Sequence, residues 1–188
     1  LKSEPCTIAN IAVVQGSLFN GGFEGQTSGE TPKHPWINSG DVNAIETNFI
    51  VCGIPGLSAE GDRRLRIDGE GSNNASPPVG TTAPNNVTSV STQLVFNPDF
   101  PVLEMSIVFY SAEGSNQGTY NDFGGCFVSS GNLGATVAHL DTFSTVTGTT
   151  GTFCSPSGAD VRAQPVSVNL AMLLPGIQRG DVIDLMLY

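Results

Sequence analysis

Residues 102–110 read VLEMSIVFY, and the stretch alternates along its length. Leu103, Met105, Ile107 and Phe109 fall on one side of an extended chain, with Glu104, Ser106, Val108 and Tyr110 on the other. A period of two marks a β-strand with a buried face, because successive side chains of a strand point to opposite sides of its sheet. The same rhythm runs through VNAIETNFIV (42–51), RRLRID (63–68), SVSTQLVF (89–96), GCFVSS (125–130), ATVAHLDTF (135–143), DVRAQPVSVNLA (160–171) and DVIDLMLY (181–188). Turn signals separate these runs: NSGD, PGLSAEGD, NPDFP, SSGNLG, TGTTG, SPSG and PGIQRGD. Short strands at such spacing predict an all-β antiparallel β-sandwich, a jelly roll of about eight to ten strands. One helix candidate exists, NLAMLLPGI, and Pro175 and Gly176 cut it short.

A chain of 188 residues, 39% hydrophobic and 13% charged, reads as one domain able to bury a core. Its 23 glycines and 12 prolines fit many turns, and residues 71–88, GSNNASPPVGTTAPNNVT, form the one long loop. Seventeen acids against seven bases leave a net charge of −10, which repels phosphate backbones and argues against a nucleic-acid partner. The same acidity suits solubility or a hard cation such as calcium. No apolar run reaches the length of a membrane span, so no membrane insertion is expected within this chain.

Cys6, Cys52, Cys126 and Cys154 lie far apart, without the paired spacing of a zinc ribbon or a redox motif. Two disulfides in an oxidising compartment account for them, and the sequential pairing Cys6–Cys52 and Cys126–Cys154 is expected. Asn74-Ala-Ser76 and Asn86-Val-Thr88 are glycosylation sequons, which agree with a secreted, extracellular or cell-surface protein. LKSEPC then reads as lying near a mature N-terminus.

Candidate chemistry is sparse. His34 and His139 neighbour no nucleophile motif, G-x-S-x-G is absent, and nothing selects a carboxylate pair, so the expectation is a protein without catalytic residues. In YSAEGSNQGTYNDFGGCFV (110–128), a hairpin would bring Glu113, Asn121 and Asp122 to one end of the sandwich. Those side chains and turn carbonyls could supply the oxygens of a calcium site, or Asn121 and Asp122 could bond the turn backbone instead. Trp36 is either a core plug or, with Tyr120, a platform for stacking on a sugar ring. The arginines Arg63, Arg64 and Arg66 alternate through a strand that also carries Leu65 and Ile67, and two of them face solvent on one side, balancing Glu60, Asp62 and Asp68.

SLFNGGFEG (17–25), then Trp36, then AEGDRRLRIDGEG (59–71) resemble the N-terminal half of carbohydrate-binding-module-like, galactose-binding-like jelly rolls. SAEGSNQGTYNDFGGCFV and PGIQRGDVIDLMLY are similar to pieces of secreted bacterial surface proteins of the "choice-of-anchor" type. The resemblance is scattered over most of the chain, and its motifs speak to fold more than to ligand. It implies a structural calcium at Glu24, helped by Asn20. In this family a further strand follows the G-D-x-I-x-L-x-L strand, and its aspartate completes the metal site. Here the sequence stops at Tyr188, so either that strand is absent, or the fold closes differently, or a neighbouring chain supplies a strand; an exposed sheet edge would be a template for another chain. LFNGGFEG itself reads as the first turn of the sandwich, with Phe19 and Phe23 anchored in the core and glycines supplying unusual backbone angles.

Two functions follow as expectations. The first is a structural or adhesive module without catalytic activity, a subunit of a surface layer or filament that joins copies of itself or other surface proteins by strand pairing. The alternative is a lectin-like module that binds a glycan through Trp36 and Tyr120.

Overall fold

The computed structural model describes residues 6–13, 23, 26–27, 29–40, 45–47, 63–67, 75–111, 123–141 and 160–188. These form strands β1 (Cys6–Val13), β2 (Ile37–Ser39), β3 (Ile45–Thr47), β4 (Arg63–Ile67), β5 (Ser89–Val95), β6 (Val102–Ser111), β7 (Phe123–Ser130), β8 (Leu133–Asp141), β9 (Asp160–Asn169) and β10 (Val182–Leu187). A one-turn helix, α1 (Leu170–Leu173), stands between the last two strands. The strands make two sheets, in the orders β3-β4-β1-β6-β9 and β2-β5-β10-β7-β8, here called A and B. Every strand pair is antiparallel. The chain is therefore all-β, as its alternation predicts.

The alternating stretch that suggests the fold lies in β6, near the middle of sheet A, between β1 and β9. Leu103, Met105 and Ile107 are buried, whereas Glu104 and Ser106 between them are only half-buried. Leu65 and Ile67 of β4 join them in the core, with Arg66 half-exposed on the opposite face. Sheet B contributes Val90, Val128, Leu140, Ile183, Leu185 and Leu187 from its inner face. Each such aliphatic side chain gains about 1.5–3 kcal/mol by leaving water, which is why the two patterned faces meet.

Two strands lie outside the predicted set. β2 has three residues, too few for a pattern to show. β1 pairs with β4 and β6, but its register against β6 shifts between Ala9 and Ile11. A bulge of this kind breaks strict alternation, so period-two reading passes over CTIANIAV.

Among the described residues, 181–188 does not lie at a sheet edge. β10 lies between β5 and β7 and pairs with both. Tyr188 continues that pairing, exchanging backbone bonds with Gly125 at 2.8 and 3.1 Å. Ile183, Leu185 and Leu187 of β10 bury its inner face, and its backbone groups pair with β5 on one side and β7 on the other.

The helix behaves as its sequence predicts. Asn169 caps it, its Oδ1 accepting from the backbone N–H of Ala171 at 2.9 Å and of Met172 at 3.3 Å. Pro175 and Gly176 end it, with Gly176 at φ 97°. Residues 76–85 of the predicted long loop are more ordered than a loop requires. They fold back on themselves through the bridges Ser76–Asn85 and Val79–Thr82, turning at Gly80, whose φ is 58°.

Candidate functional site

The resemblance places a metal in the corner that follows LFNGGFEG. Asn20 and Glu24 lie outside the described residues, and of the same motif Phe23 is described. Phe23 is buried, with its ring 5.3 Å from that of Trp36 at a tilt of 35°. It holds φ at 57°, so the left-handed residue described here is a phenylalanine rather than one of the glycines. Trp36 is only 4% exposed and forms part of the core cluster. It fills the core, as the first of its two sequence readings has it, and offers no face to a sugar.

Around this pair the backbone is held by amides. Gln26 Oε1 accepts from Lys33 N–H at 2.8 Å, and Asn38 Nδ2 donates to the Pro32 carbonyl at 3.4 Å. The two side chains thus grip opposite edges of one peptide group. Gln26 Nε2 and Asn38 Oδ1 are left buried without partners, a cost of about 1–3 kcal/mol each. At the surface, Glu30 takes a hydrogen bond from Lys33 Nζ at 2.9 Å and one from Thr27 N–H at 3.0 Å. The ammonium first, and the amide second, hold the Glu30 carboxyl below its ordinary range. This loop is tied down by its own side chains.

The second proposed metal cluster, Glu113, Asn121 and Asp122, lies outside the described residues, as do Tyr120 and Asn74. Among the described residues no three His, Cys, Asp or Glu side chains come together to hold a metal. Asn86 of the other sequon is exposed, at φ 55°.

Of the four cysteines, Cys126 is a free thiol buried in the core, and its expected partner lies outside the described residues. β7 presents Cys126 and Val128 to the space between the sheets, where Cys126 packs as a small apolar side chain. Cys52 and Cys154 lie outside the described residues, and Cys6 opens β1 opposite Ile67. Burial pushes the Cys126 thiol well above its ordinary value of 9.0. Folding stability is therefore intact below the unfolded-state value, and falls as pH rises from there toward the folded-state value. The unfolded thiol releases a proton in that window and the folded one does not, giving a slope of about 1.4 kcal/mol per pH unit. Urea melts at pH 8 and pH 10 should show this loss, and Cys126→Ala should remove that share of it. Peptide-resolved alkylation should leave Cys126 unmodified until the protein unfolds.

The outer face of sheet B carries more burial than a solvent-facing sheet normally does. Phe127 points away from the core, since its neighbours Cys126 and Val128 point into it, yet it is 2% exposed. The hairpin at 76–85 helps cover this face. A Cβ placed on Gly134 would collide with the Thr81 carbonyl and come within 2.9 Å of the Phe127 ring. Beside it, Phe123, His139 and Tyr188 meet in a three-ring cluster, with centroids 5.7 Å apart for Phe123–His139, 6.2 Å for Phe123–Tyr188 and 6.3 Å for His139–Tyr188. Tyr188 Oη lies 3.2 Å from His139 Nδ1 and donates to the Ala138 carbonyl at 3.4 Å. His139 is thus built into a packed aromatic cluster, the role its isolation in the sequence suggests.

The outer strands of the two sheets differ in a way that matters for association. Among the described residues β2 and β3 are edge strands of three residues each, and β9 is an edge strand interrupted by Pro165. Short strands and prolines are the usual means of blunting a sheet edge. β8, the last strand of sheet B, runs for nine residues, with no charged side chain from Leu133 to Leu140 if His139 is neutral, and no proline. Its pattern was legible at 135–143, but its edge position was not, because neighbours in a sheet are set by tertiary pairing. No family model, curated protein or solved structure matches this chain.

Proposed function

We propose that this chain is a structural or adhesive module without catalytic activity, a secreted, extracellular subunit of a surface layer or filament that associates by strand pairing. The observation that carries the reading is β8, a long edge strand whose only acid is the terminal Asp141, in a protein whose other described edges are short or interrupted by proline. Main-chain hydrogen bonds along such an edge supply affinity without a shaped pocket. Neutrality matters in a chain of net charge −10, because copies of like charge meet most easily where the charge is least.

The winding supports the jelly-roll form of the sandwich. Only β3–β4 and β7–β8 are sequence-adjacent strands paired within one sheet, and the other connections pass from sheet to sheet. β1 fills the middle of sheet A, between β4 and β6. The proposal includes structural calcium, held at Glu24 and Asn20 or at Glu113, Asn121 and Asp122.

Light scattering on the native protein, with and without a calcium chelator, tests both parts. Particles heavier than one chain are expected, and chelation should lower their thermal stability. A protein that stays monomeric at millimolar concentration would overturn the assembly reading. Indifference to chelation would remove the calcium.

A further inference from the structure

We infer that β8 pairs with β8 of a second copy of this chain, antiparallel, about a two-fold axis at Ala135. The inference rests on the strand-pairing function proposed above and specifies its partner and register. It follows from the direction of the backbone groups. Gly125 and Tyr188 exchange both of their backbone hydrogen bonds, so Gly125 turns its N–H and C=O toward β10. By alternation Phe127 and Ser129 do the same, and Val128 and Ser130 turn theirs toward β8. Val128 stands opposite Ala135, and Ser130 opposite Leu133 across the two-residue turn at Gly131 and Asn132. Ala135 and Leu133 therefore bond inward to β7, and Gly134 and Thr136 direct their N–H and C=O groups away from the sheet.

This spacing is self-complementary. With the axis at Ala135, Gly134 faces Thr136 of the second copy and exchanges both backbone bonds with it, and the symmetry repeats the exchange on the other side. Leu133 then faces Val137 of the second copy, and the two Ala135 residues face each other. The small side chains at 134–136 permit the close approach that a paired strand needs. The register shift at Cys126/Phe127, where β8 holds Val137 as an extra residue, ends the regular run. Pairing therefore has a defined length and cannot slide along β8. The Thr81 carbonyl above Gly134 adds the 76–85 hairpin to the outer side of this edge, and Val79, two residues away, is 73% exposed. A second copy is the occupant that fits: the paired run Leu133–Val137 carries no charge, so two molecules of net charge −10 approach there with least repulsion.

The test is Thr136→Lys, which places a charge on the paired run next to the axis, opposite Gly134 of the second copy, but breaks no bond to β7. The wild-type chain should scatter with at least twice the mass of one chain. The variant should scatter as a single chain at the same concentration, with unchanged circular dichroism and melting. In the wild type, the Gly134 and Thr136 amides should exchange hydrogen at least tenfold more slowly in concentrated than in dilute solution. Assembly that survives Thr136→Lys, or assembly without protection of those amides, overturns the β8 pairing and leaves the broader function standing. A wild-type chain that is monomeric at every concentration overturns both.

Discussion

Phe23→Ala lowers the free energy of unfolding by about 3–5 kcal/mol, seen as a lower urea midpoint at an unchanged slope. Phe23 is among the largest fully buried side chains, and its removal leaves a cavity beside Trp36, which has little freedom to fill it. The lost ring pair accounts for about 0.5–1.5 kcal/mol of this. The remainder is burial and void. Alanine does nothing to relieve the backbone, since φ at 57° disfavours any side chain bearing a Cβ. Trp36 is the sole tryptophan, so its emission should shift to the red as its packing loosens. A loss under about 1 kcal/mol would mean that the ring is not held in the core.

Gly125→Ala is expected to cost about 3 kcal/mol or more, at the upper end for overpacking. The added Cβ would overlap the Ala138 carbonyl and lie 2.8 Å from Tyr188 Oη. The first obstacle is backbone of the neighbouring strand, which cannot rotate aside. The second is the end of a side chain and can move. Gly125→Ala combined with Tyr188→Phe should therefore recover only a small part of the loss. Full recovery would place the obstruction at the tyrosine instead. Gly176→Ala is the contrast: φ is 97°, but a Cβ there meets nothing, so only backbone strain of about 1–2 kcal/mol remains.

These two positions differ in how far the sequence announces them. Phe23 stands out in LFNGGFEG as an apolar residue among glycines, and its place in the core is where that reading put it. Gly125 carries no such mark, for a glycine beside another glycine in FGGC reads as a weak point in a strand. Its importance comes first from the Ala138 carbonyl, which the β7–β8 pairing lays against it, and to a lesser degree from Tyr188, 63 residues away in sequence. Cys126 shows the same limit. The sequence presents a cysteine in a plausible oxidising context, and only the direction of β7 makes it a core side chain with a free thiol.

Local chemistry made the strands of residues 63–67, 89–95, 102–111 and 182–187 readable, along with the capped turn of helix at Asn169, because alternation, capping and glycine turns act over a few residues. The bulge in β1, the central place of β10 and the open side of β8 were decided by the tertiary structure. A strand's own residues state which of its faces is apolar. They do not state which strands lie beside it, because that depends on partners distant in sequence whose pairing closes the core.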